Sequence, residues 1–142
     1  MQEQERTQFP ANSRRSKQTG ESMLNRVIVS IIQDCHKHDP QNHFRYPVDK
    51  RLAPGYRTRI AQPICLEEMS QRAKRQEYGS IQAFKDDMLL MRNNAEQYNG
   101  LHDLLAQTAR QLEAVAQDAI VSPEYKDAIE EAMEKINLHQ YL

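Results

Sequence analysis

Four of the six prolines in this 142-residue chain (Pro40, Pro47, Pro54 and Pro63) fall between residues 40 and 63, together with Gly55. Beyond that stretch and the first twenty residues, the remaining breakers are Gly79, Gly100 and Pro123. The chain therefore reads as one helix, one long loop, and a series of helices joined by short turns. A loop of about two dozen residues is uncommon in a compact domain and is usually functional or disordered. This one carries Phe44, Tyr46, Val48, Leu52, Tyr56 and Ile60. A solvated linker would not hold such residues, so the loop is expected to be structured and packed on the helices.

The helices follow from apolar spacing. Leu24, Val27, Ile28, Ile31, Ile32 and Cys35 place one stripe on a helix from Glu21 to His38, ended by Asp39-Pro40, because a residue before proline is pushed out of the α region. A short helix follows from Ile64 to Arg75 with Leu66, Met69 and Ala73 inward. Ile81, Phe84, Met88, Met91, Ala95 and Tyr98 recur at 3-4-3-4-3 spacing, a near-heptad seam suited to shallow packing in a bundle. Ser80 is placed to cap that helix and Asn99-Gly100 to end it. A further helix from His102 to Ile120 turns Leu105, Ala109, Leu112, Val115 or Ala116, and Ala119 inward. Ser122-Pro123-Glu124 reads as cap, first-turn proline and acidic first turn of a last helix. That helix, Pro123 to Leu138, buries Tyr125, Ile129, Ala132, Met133 and Ile136. The fold class is all-α, four helices around one core with a fifth appended. Residues 1–20 have no apolar periodicity and read as a disordered tail; 21–121 is the domain and 122–142 a helical extension.

Composition excludes several classes. No run approaches the ~18 apolar residues of a membrane span, and the N-terminus lacks the apolar core of a secretory signal. Cys35 and Cys65 make no disulfide framework, so a reducing compartment is the default. The net charge of -1 argues against a protein that coats nucleic acid. Cys35-His36-x-His38 with His43 does not converge on one helix face and has no second cysteine pair, so neither a metal nor another cofactor is expected. Cys65 has no signature of a nucleophile. The carboxylates Glu67, Glu68, Asp86 and Asp87 read as solvated helix faces.

The stretch from Phe84 to Asn99 resembles the third helix of a bromodomain. That family repeats F-x-x-D-x-x-L-M-x-x-N-A-x-x-Y-N, and Phe84, Asp87, Leu90, Met91, Asn94, Ala95, Tyr98 and Asn99 match it. Pro47-Val48-Asp49, Pro54-Gly55-Tyr56 and Ile60-x-x-Pro63 resemble the family's long loop. The resemblance covers residues 22–120 and implies a left-handed four-helix bundle that reads acetylated lysine without catalysis. It implies that the Asn99 amide donates to the acetyl carbonyl and that Tyr56 reaches it through a water. Val48 and Phe44 become the wall around the acetyl methyl, continued by Leu52 and Ala53. Ala95 and Tyr98 line the pocket, and Leu105 stands at the gatekeeper position at its mouth. By the same resemblance the host protein is nuclear, acts in chromatin-linked transcription control and binds acetylated histone peptides.

The chemistry is consistent with that assignment. Acetylation converts a strongly hydrated ammonium into a neutral amide. Apolar walls with one uncharged donor accept the amide and reject the bare charge. The sequence also departs from the family. Asn42-His43-Phe44 stands where Trp-Pro-Phe is common, and Pro63-Ile64-Cys65 where Pro-Met-Asp is, removing a shelf tryptophan and a helix-start aspartate. The loop is slightly shorter than in common members.

Two charge patterns lie outside the resemblance. From Arg45 to Arg59, five cations (Arg45, Lys50, Arg51, Arg57, Arg59) stand against Asp49 alone, a local +4. The expected result is a basic rim that favours acidic or neutral flanks around the acetyl-lysine, or a second acetyl group; contact with DNA phosphate, or solubility alone, is the competing reading. The last helix carries Lys126 and Lys135 against five carboxylates, a net -3. Its apolar stripe either packs on the bundle or meets a protein partner, and a scaffold acting through such contacts is the second functional reading.

Overall fold

The computed structural model describes residues 18–139, all outside strands. Six helices follow in order: α1 (Gly20–Lys37), α2 (Tyr56–Arg59), α3 (Leu66–Lys74), α4 (Ile81–Asn99), α5 (Leu104–Ile120) and α6 (Lys126–His139). Most of the expected disordered tail, residues 1–17, lies outside the described residues. Gly20, its last residue, opens α1, and the Thr19 hydroxyl caps that helix by accepting the Ser22 N–H at 3.0 Å.

The core is the set of stripes read from spacing. Leu24, Val27, Ile28 and Ile31 of α1 are fully buried, as are Leu66 and Met69 of α3, Phe84 of α4 and Leu112 of α5. α4 runs along α5, and α1 packs against α3, α5 and α6. Two polar contacts fix the α1 side of this core. Asn25, buried in α1, donates to the Tyr78 carbonyl at 2.9 Å and accepts the Tyr78 N–H at 3.1 Å. The α3–α4 turn is thereby held on α1 by a side chain whose donors and acceptor are all used locally. Asp87 accepts both the Arg72 guanidinium and the Tyr78 hydroxyl, each at 2.6 Å. Asp87 therefore ties α4 to α3 and its turn, where a solvated face was expected.

Helix starts differ from expectation at three places. The last helix begins at Lys126, whose N–H bonds the Ser122 carbonyl at 2.8 Å, while the Ser122 hydroxyl donates to the Ala119 carbonyl at 2.7 Å at the end of α5. Asp103 caps α5, accepting the Leu105 N–H at 2.7 Å. At α3, where Cys65 stands at the N-cap, the Glu68 carboxylate reaches back to the Cys65 N–H at 3.1 Å as the returning half of a capping box. Glu68 too was expected only as a solvated face.

The stripe of α6 packs back onto α1, where Tyr125, Ile129, Ala132 and Ile136 join the common core. The two helices run antiparallel, since Tyr125 reaches Asp34 near the end of α1 while Ile136 meets Gly20 at its start. A Cβ on Gly20 would stand 2.6 Å from the Ala132 carbonyl oxygen and 2.7 Å from Ile136 Cγ1. Glycine is thus required for the crossing. Alanine ordinarily favours a helix over glycine by up to ~1 kcal/mol. Here Gly20→Ala is expected to destabilise by about 1–3 kcal/mol through overpacking. Chemical denaturation checks the sign, and a rise in stability would contradict the close crossing.

Candidate functional site

The site is assembled between the long loop and the end of α4. The loop begins with a turn built on one buried carboxylate. Asp39, 1% exposed, accepts the His43 N–H at 3.0 Å and the Phe44 N–H at 2.8 Å on its two oxygens. Asn42 supplies the left-handed residue of this turn, with φ of 60°, a conformation that Asn adopts more readily than bulky residues. The next carbonyls, of Phe44 and Arg45, accept the Leu66 and Glu67 N–H groups at 2.8 and 2.9 Å. These are donors that the first turn of α3 leaves free. The loop is therefore held at its start by a side chain and in mid-course by a helix end.

α4 holds the far half. Buried Asn94 donates to the Gln62 carbonyl at 2.8 Å. Gln97 donates to the Arg59 carbonyl at 2.8 Å, and Arg59 returns a bond to the Gln97 carbonyl at 3.0 Å. The Tyr98 hydroxyl donates to the Pro54 carbonyl at 2.9 Å. Between these contacts the loop makes the single turn α2, which starts at Tyr56. Its ring packs edge-on against Tyr98 at 4.9 Å between centroids.

These constraints enclose a cavity of about 480 Å³. All nine residues singled out from the sequence line it: Phe44, Val48, Leu52, Ala53 and Tyr56 from the loop, Ala95, Tyr98 and Asn99 from α4, and Leu105 from α5. Their exposures differ. Ala95 and Tyr56 are buried, Phe44 and Leu105 half-buried, and Val48 and Leu52 stand 40% and 84% exposed. With Tyr46 they form an apolar rim open to solvent, which the expectation of a packed loop did not include. One Asn99 amide N–H bonds the Ala95 carbonyl at 3.2 Å, which orients the group; the amide has a second N–H and a carbonyl oxygen. Burial, reinforced by Tyr98, pushes the Tyr56 phenol above its ordinary pKa, so its hydroxyl is protonated at neutral pH.

Asp49 is the one carboxylate among the lining residues. Its charge is taken up by Arg51, whose guanidinium approaches to 3.0 Å and whose N–H bonds it at 2.9 Å. A second concavity adjoins the mouth across Leu105, with His38, His43, Gln107, Thr108 and Gln111 beside Pro40 and Leu104 in its walls. This adjoining hollow mixes polar and apolar groups.

Sequence reasoning missed the residues that position the wall, namely Asp39, Asn94 and Gln97. Only Asn94 carried a signal, as a matched motif position inside the buried seam. Both cysteines are buried, and burial pushes the thiol of Cys35 up to about 12 and that of Cys65 to about 11. Among the described residues no group of three or more His, Cys, Asp or Glu gathers as a metal site, and no helix is long and apolar enough to cross a membrane.

A profile of the bromodomain family matches residues 28–111. The chain belongs to the bromodomain family, and its all-α architecture is the bromodomain fold. It is 30% identical over 109 residues to bromodomain-containing protein 9 of Xenopus laevis, covering 76% of this chain and 21% of that protein. It is 30% identical over 105 residues to the histone acetyltransferase GCN5 of Oryza sativa subsp. japonica, covering 73% of this chain and 20% of that one. It therefore spans about a fifth of the length of these relatives. A crystal structure of CpBRD2 from Cryptosporidium superposes with a TM-score of 0.64 at 27% identity, covering 68% of this chain and 91% of that one.

Two outcomes follow from the geometry. Asp39→Ala removes two hydrogen bonds to a charged acceptor and is expected to lower stability by about 2–4 kcal/mol. Amide exchange should rise first at His43 and Phe44; exchange unchanged there would remove Asp39 from the turn. At pH 8 a thiol with a pKa near 11 is thiolate on the order of 0.1% of the time. Native protein should therefore resist iodoacetamide at both cysteines and react at both once unfolded.

Proposed function

We propose that this chain is a non-catalytic reader of acetylated lysine. The observation that carries the reading is the convergence of the Asn99 amide, the Tyr56 hydroxyl and the apolar groups of Phe44, Val48 and Ala95 on one cavity. An acetylated side chain entering it would place its methyl against Phe44 and Val48 and its carbonyl within reach of the Asn99 N–H. Tyr56 would act on the same oxygen through a water. Leu105 flanks the entering chain, and Leu52, Ala53 and Tyr98 complete the wall. An unmodified lysine would have its charge desolvated with no free carboxylate to meet it, since Asp49 is engaged by Arg51.

Bromodomains are in general acetyl-lysine readers of chromatin. Relatives include a histone acetyltransferase, so we place the ligand on histone tails and the host protein in the nucleus, in transcription control. The scaffold reading drew on an unpartnered stripe of the last helix. That stripe is packed on α1, which leaves the pocket as the better-supported site.

Calorimetric titration of acetylated and unmodified histone H4 and H3 peptides tests the reading. Wild type should bind acetylated peptide with weak affinity and show no saturable binding of the unmodified form. Asn99→Ala should weaken binding roughly tenfold or more, about 1.4 kcal/mol, without lowering the thermal midpoint. Equal binding by wild type and Asn99→Ala would reject the pocket.

A further inference from the structure

Five cations lie between Arg45 and Arg59, and the structure sorts them by engagement. Arg51 forks onto Asp49, at 3.3 Å from Nε and 3.0 Å from a terminal nitrogen. Arg59 bonds the Gln97 carbonyl and lies over the Tyr98 ring at 4.8 Å. Arg45 is half-buried and lies over the Tyr46 ring at 5.6 Å. Lys50 and Arg57 are exposed, and neither forms an ion pair among the described residues. Both face one open hollow of about 630 Å³, whose third wall is Val48. Val48 is also a wall of the acetyl-lysine cavity, so the two hollows share a side chain.

We propose that Lys50 and Arg57 form a subsite for an acidic side chain, so that the preferred ligand is an acetyl-lysine with a carboxylate or phosphate within three residues. The proposal rests on the acetyl-lysine reading and adds a ligand class to it. An extended peptide advances ~3.3 Å per residue. A peptide that leaves the cavity over the shared Val48 wall therefore brings its next residues within reach of two long cationic side chains. Asp49 does not fill this role itself, because Arg51 holds its carboxylate by side chain and backbone. A peptide suits the hollow better than nucleic acid. Two exposed cations outside any ion pair neutralise about two phosphates, fewer than the roughly 6–10 contacts of a strongly salt-dependent DNA binder, and the chain as a whole is net -1.

The test is fluorescence polarisation with one acetyl-lysine peptide in four versions, its neighbouring position being Gln, Glu, phosphoserine or Lys. Wild type is compared with the double variant Lys50→Glu, Arg57→Glu, whose thermal midpoint is checked first. At ~50 mM salt, wild type should bind the Glu peptide about three- to tenfold tighter than the Gln peptide, with phosphoserine at least equal to Glu and Lys weakest. The preference should vanish near ~500 mM salt, where exposed charges are screened. The double variant should bind the Gln peptide within about twofold of wild type and prefer Lys over Glu. Equal binding of Glu and Gln peptides by wild type at low salt would overturn the subsite, as would an unchanged Glu preference in the double variant. A short DNA duplex that binds wild type but not the double variant, with no discrimination among peptides, would overturn it in favour of nucleic acid. Failure of even the Gln peptide to bind wild type would instead remove the acetyl-lysine reading, and the subsite with it.

Discussion

The site depends on how a long irregular segment satisfies its own backbone. Every residue between α1 and α3 except proline carries an N–H and a carbonyl, and buried ones need partners. No strand is present to pair them among the described residues. Some partners come from turns within the loop, such as the Asp49 carbonyl that accepts the Leu52 and Ala53 N–H groups, and others from fixed neighbours: the Asp39 carboxylate, the first N–H groups of α3, and Asn94, Gln97 and Tyr98 of α4. Five of the nine cavity residues singled out from the sequence belong to that segment. The apolar wall is therefore held by these hydrogen bonds together with the packing of Phe44, Tyr56 and Ile60.

α4 is suited to this anchoring because it is itself braced. Arg92 pairs with buried Glu113 at 2.8 Å, and Arg110 pairs with Glu96 at 2.9 Å and with the Leu101 carbonyl. These bonds cross from α4 to α5 and hold the turn between them, which brings Leu105 to the same cavity as Val48. The end of α4 thus meets a rigid neighbour on one side and the loop on the other. Asn99 lies where the two meet, which places its amide with little freedom to lose on binding.

Periodicity exposed what repeats, and resemblance exposed what matches a motif. The seam from Ile81 to Tyr98 and the stripe from Leu24 to Cys35 were legible because burial on a helix imposes spacing. Asn99 and Tyr56 were legible only through the family pattern, since alone they read as a helix end and a loop anchor. The turn α2 was not legible, because four residues are too few to show a period. Asp39 was read as part of a helix stop, yet its carboxylate organises the loop. Asp87 and Glu68 were read as solvated faces, though each meets a partner brought close only by the tertiary fold. Gly20 looked like the end of a polar tail, because a close helix crossing leaves no trace in the chain except a missing side chain.

The antiparallel pairing of α1 and α6 gives the bundle two distinct ends. α1 is 18 residues long, a span of ~27 Å at 1.5 Å per residue. The loop that builds the cavity leaves one end of that span, while Gly20 meets Ile136 at the other. The start of α1 and the end of α6 therefore share the pole of the bundle opposite the end from which the loop departs. A contact made at the Gly20–Ile136 pole leaves the cavity mouth at the other end uncovered.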